Sequence, residues 1–88
     1  MIRIVCAVQD RKSELFAAPM LFINEADAVR NFADAVNRED SNSMLYLHPD
    51  DYDMFRIGIY DDSNGVLVPE THKRLMTGAE CKGVSRAR

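Results

Sequence analysis

The side chains able to do chemistry in this 88-residue chain are few and lie far apart. His48, Asp50 and Asp51 set an imidazole beside two carboxylates, types that bind metals or move protons. Pro49 sits among them, and the stretch reads instead as a turn with a solvated acidic pair. Asp61 and Asp62 would suit a cation, but Asn64 and Gly65 follow and mark a hairpin turn. Cys6 alternates with Ile2, Ile4 and Val8, the pattern of a small buried residue. Cys81 is expected to be more exposed, with no base beside it. Two cysteines and two histidines supply neither a zinc cage nor a disulfide framework. The four glycines are too scattered for a phosphate loop. No nucleophile has a base and an orienting group in view. The reading is a non-enzymatic protein with no metal and no cofactor.

The chemistry that remains is charge and aromatic surface. The net charge of −3 hides an asymmetry. Residues 1–71 hold six Lys or Arg against thirteen Asp or Glu. Residues 72–88 hold Lys73, Arg74, Lys82, Arg86 and Arg88 against Glu80. An acidic body with a basic end is the pattern of an anion-seeking tail. No apolar run is long enough to span a bilayer, and the start does not read as a signal peptide. A reducing cytoplasm is the expected compartment.

These groups must be positioned by regular elements. Residues 2–8 alternate as a strand, with Ile2, Ile4, Cys6 and Val8 on one face and Arg3, Val5 and Ala7 on the other. Asp10 to Ser13 reads as a turn. A second strand follows within Glu14 to Ile23, held to an edge or interrupted by Pro19. Asn24 is placed to cap a helix over 25–37, with Glu25 and Asp27 in its first turn. Val29, Phe32, Ala33 and Val36 form its apolar stripe. Ser43 to Asp53 is ambiguous between a short strand and a helical turn. Alternation resumes at Met54, with Phe55, Ile57 and Ile59 on one face and Met54, Arg56, Gly58 and Tyr60 on the other. Val66 to Val68 is the return strand, stopped by Pro69.

The fold class is therefore α+β: a small, mostly antiparallel sheet in β-β-α-β-β order with one helix on one face. Residues 1–69 form the single domain. Residues 70–88 are expected to be a flexible basic tail whose removal spares the fold. The sheet face away from the helix would carry Arg3, Val5, Ala7, Met54, Arg56 and Tyr60. That mixture suits nucleic acid, with Tyr60 stacking on bases and Arg3 and Arg56 pairing with phosphates beside Lys73, Arg74, Lys82, Arg86 and Arg88. It also suits a homodimer seam through Val5, Met54 and Tyr60, or one along the edge left by the Pro19 strand.

The middle of the chain resembles a known family. The features are Phe16 to Phe22 with Pro19 inside, the Ala-rich helix of Glu25 to Asn37 with Arg30 and Phe32, and Leu47 to Asp62. In the last, His48-Pro49-Asp50-Asp51-Tyr52-Asp53 precedes a strand ending in an acidic turn. Together, over about residues 1–68, they resemble the small nonstructural protein of gokushovirus-type microviruses, phages with single-stranded circular DNA. The resemblance implies a DNA-binding, non-capsid role in the host cytoplasm, during genome replication or packaging. It implies no contact residues. Single-stranded DNA is the expected partner. The competing reading is a module that recruits a replication or procapsid protein without touching DNA.

Overall fold

Why the chain folds as it does is clearest at its turns and caps. The computed structural model describes residues 1–82. Strand β1 (Ile2–Asp10) turns through a residue of positive φ, Glu14, into β2 (Leu15–Phe16). Ala17, Ala18 and Pro19 interrupt the return, and β3 (Met20–Phe22) resumes it. Helix α1 (Glu25–Asn37) begins where the sequence places it: Asn24 Oδ1 accepts from the Asp27 amide at 2.8 Å. The ambiguous stretch is helical, with α2 (Met44–Leu47) and then a 3₁₀ turn at Pro49–Asp51. Strands β4 (Tyr52–Asp61) and β5 (Val66–Thr77) form a hairpin whose tip has Gly65 at φ 75°. Helix α3 (Gly78–Cys81) is the last element among the described residues, followed by Lys82. The sheet is antiparallel, ordered β2-β1-β4-β5, with β3 also on β1.

Directly paired residues in a sheet share a face, so the register assigns every side chain. Ile4, Cys6, Val8, Met54 and Phe22 join Ala28, Phe32, Ala33, Val36 and Cys81 in one core. Phe32 is 2% exposed, as the helical stripe requires. The α+β class, the helix bounds and the 61–65 hairpin all stand as read.

Two expectations fail for identifiable reasons. The first is the facing of β4. Val5 pairs with Gly58 but Cys6 pairs with Arg56, so Ile57 is an extra residue in β4. This bulge reverses the alternation. Met54 and Arg56 lie on the helix side, and Phe55 lies on the other. Met54 is buried in the core and cannot form the dimer seam assigned to it. Val5 is on the far face as read, but is only 5% exposed.

The second is the end of the domain. Pro69 does not stop β5, because an edge strand tolerates a missing amide. From Pro69 to Lys73, β5 advances four residues while β4 moves two, and the strand then runs on to Thr77. A capping box follows: Thr77 Oγ1 accepts from the Glu80 amide at 3.1 Å, and Glu80 Oε1 accepts from the Thr77 amide at 3.1 Å. Gly78 abuts the Pro49 backbone, where a Cβ would collide. Buried Asn37 donates to the Ala33 and Cys81 carbonyls, both at 2.8 Å, tying α1 to α3. Residues 70–82 are thus part of the domain, not a tail, and deleting residues from 72 onward would remove core. Arg86 and Arg88 lie outside the described residues.

Candidate functional site

Cations on both sides of the sheet meet carboxylates, in different surroundings. On the helix side, Arg56 donates to Glu70 through Nε at 2.8 Å and Nη2 at 3.2 Å, and to Glu25 through Nη1 at 2.9 Å. Lys73 donates to both Glu25 oxygens, at 3.1 and 3.2 Å. Lys73 and then Arg56 hold the Glu25 carboxyl below its ordinary range, and Arg56 does the same to Glu70. Lys82 donates to the Val36 and Tyr46 carbonyls and sits 3.8 Å from the Tyr46 ring centroid. It closes the C-terminal end of α1, where positive charge is favoured. Arg56, Lys73 and Lys82 are therefore all engaged within the fold, with Lys73 still 63% exposed. They do not join Arg3 and Tyr60 on one surface, as the sequence suggested.

The face away from the helices carries the other set. Arg3 and Tyr60 are paired partners there, and Leu67 flanks Tyr60. Arg3 Nε donates to Asp62 at 3.1 Å, and the terminal ammonium donates to the same carboxylate at 2.9 Å. These bonds hold the Asp62 carboxyl low, the ammonium more than Arg3. At the opposite end, Arg11 Nε and Arg74 Nη1 stand 3.7 and 3.8 Å from Asp53 Oδ2. Asp53 is 2% exposed, and its Oδ1 takes no hydrogen bond among the described residues.

Between these ends lies an aromatic cluster that the sequence reading missed. Phe16 meets Phe55 edge-on, with ring centroids 5.7 Å apart, and meets His72 at 5.4 Å. Phe55 and His72 are 6.4 Å apart. Phe16 is 41% exposed. A mid-face hollow of about 240 Å³ is lined by Val5, Pro19, Ile57, Gly58, Leu67, Val68 and Pro69. The signal for the cluster was present. An isolated Phe16 beside a broken edge and an alternating Phe55 are both visible in the sequence, but the bulge hides their common face. Helix α2 packs with α1 and the 3₁₀ turn, so it does not cover this face.

Charge is segregated accordingly. Arg3, Arg11 and Arg74 on the open face stand against Asp53 and Asp62. The rest of residues 1–82 has six basic side chains against twelve acidic ones. Both thiols are buried. Burial pushes Cys6 up to about 11 and also raises Cys81, which is 3% exposed and not on a tail. Among the described residues, no group of three or more His, Cys, Asp or Glu is placed to hold a metal, and no helix is long and apolar enough to cross a membrane.

Comparison with known proteins places the chain. Residues 3–81 match the family model described as Phage ORF5 protein. The match runs through β5 and α3, as the folded extent requires. Protein ORF5 of Chlamydia phage 1 is 31% identical over 65 residues, covering 72% of this chain and 68% of that protein. No solved structure matches. The chain belongs to the Phage ORF5 protein family, the small proteins of microvirus-type phages.

Proposed function

We propose that the protein is non-enzymatic and binds single-stranded DNA across the open sheet face, in the bacterial host cytoplasm, during phage genome replication or packaging. The observation that carries this reading is the Phe16–Phe55–His72 cluster on the sheet face that no described helix covers, with arginines at both ends. Unpaired bases stack on such rings without regard to sequence, and duplex bases cannot reach them. Keeping most of the acidic charge off this face lowers the repulsion that a net-negative protein presents to phosphates. This moves the binding surface from the basic C-terminal segment to the body of the fold.

Fluorescence anisotropy with a labelled oligo-dT tests it. With Arg3, Arg11 and Arg74 engaged, log K against log salt should slope at about −2 for a single strand. Phe55→Ala should lose about 1–3 kcal/mol of binding with an unchanged slope. Equal affinity for wild type and Phe55→Ala would sink the proposed surface. The apolar hollow favours a second reading, recruitment of a replication or procapsid protein through one inserted side chain. Absence of DNA binding at low salt, together with salt-insensitive capture of such a protein, would establish that reading instead.

A further inference from the structure

Among the described residues the sheet has two free edges, and they are protected unequally. On one side, β2 and β3 are two and three residues long, separated by Pro19. The Ile23 amide just beyond β3 donates to Asp27 Oδ2 at 3.2 Å, so this edge is short and closed at its end. On the other side lies β5, twelve residues long. Its second half is defended in the usual ways: Pro69 lacks an amide, residues 70–72 bulge, and Lys73 and Arg74 are charged. Its first half has no such defence. Val66, Leu67 and Val68 are 47%, 63% and 43% exposed. The register puts Leu67 on the open face and Val66 and Val68 on the helix side, where Ile2 is also exposed. The strand is therefore apolar on both faces at a free sheet edge.

We infer that Val66–Val68 is the seam of a homodimer, in which two β5 strands pair antiparallel about a two-fold axis at Leu67. The occupant is a second copy because the segment is self-complementary in that register. Val66 meets Val68, Gly65 meets Pro69, and no charged residue faces its like across the seam. The nearby acidic pair is already engaged, since Asp62 binds the terminal ammonium and Arg3. A two-fold contact closes, whereas pairing β5 with β3 of another copy would propagate without end. A seam of three strand residues lies at the low end of interface sizes, so the dimer is a weak one. The axis stands perpendicular to the sheet, so both open faces lie on one side of a single doubled sheet. The seam stands independently of what those faces bind.

Cross-linking tests this directly. Paired strand residues across a two-fold axis lie within disulfide reach. The native thiols, Cys6 and Cys81, are buried and give no background. Full-length Leu67→Cys should convert mostly to a covalent dimer under mild oxidation. Leu21→Cys, on β3 and 48% exposed in the wild type, should stay monomeric. Light scattering should show wild type shifting toward dimer between about 10 and 500 µM. Val66→Lys with Val68→Lys should remain monomeric with an unchanged circular dichroism spectrum. Cross-linking of Leu21→Cys in place of Leu67→Cys would overturn the assignment. So would a wild type that stays monomeric throughout that range, or a Lys variant that still dimerises.

Discussion

The helix side of the sheet and its open side are built from the same strands and both pair their cations with carboxylates, but they set those pairs in different surroundings. On the helix side, each of the three cations first assigned to phosphate is held by the protein itself: Arg56 by Glu25 and Glu70, Lys73 by Glu25, and Lys82 by two carbonyls. On the open side, Arg3 also meets Asp62, and Arg11 and Arg74 approach Asp53 less closely, but these arginines stand at the ends of an aromatic and aliphatic surface with no helix over it. A basic residue in a sequence is thus a poor indicator of a binding site until its partners are known. The helix side should govern stability, and the open side should govern binding.

The largest expected effect tests the first half of that contrast. Phe32→Ala empties the centre of the helix-side core and should cost about 3–5 kcal/mol, a large share of a small domain's stability. Phe16→Ala, on the open side and 41% exposed, should cost only about 1 kcal/mol while weakening oligo-dT binding. Urea denaturation of the two variants gives the comparison. If Phe16→Ala destabilises as much as Phe32→Ala, the open face is core, and the contrast is false.

A middle-sized effect sharpens where the domain ends. Thr77→Ala removes the hydroxyl that caps α3 and should cost about 1 kcal/mol. The same change in a flexible tail would cost nothing, so a measurable drop in urea midpoint separates the two descriptions. Neutral behaviour would put the boundary back near Pro69.

The sequence disclosed what is periodic and local. Asn24, the acidic first turn and the Phe32 stripe defined α1 to the residue, and Asn64-Gly65 defined the hairpin. It concealed what depends on pairing. The extra residue at Ile57 is an ordinary isoleucine, and only the partner strand shows that it reverses the facing of Met54 and Arg56. Pro69 looked like a stop because the sequence does not say that β5 is an edge strand. The aromatic cluster combines Phe16, Phe55 and His72 from three strands, with the last lying beyond that apparent stop.

The smallest expected effect concerns the helix-side ion network, and its sign is fixed by protonation. Glu25 and Glu70 have folded-state pKa values below the ordinary carboxylate value of about 4.3. In the unfolded chain they bind protons more readily, so their contribution is complete above that value and is lost as pH falls through the folded value. The two carboxylates are about one-third exposed, so the contribution is modest and screened by salt. Glu70→Gln should therefore lower stability slightly at neutral pH, by less than Thr77→Ala, and raised salt should narrow the gap. In acid the wild type and variant curves should converge, because the wild-type carboxylate is then neutral as well. If Glu70→Gln instead left stability unchanged at neutral pH but tightened oligo-dT binding, Arg56 would be a phosphate ligand held in check by Glu70. The helix side would then share in binding, and the division of labour between the two faces would fail.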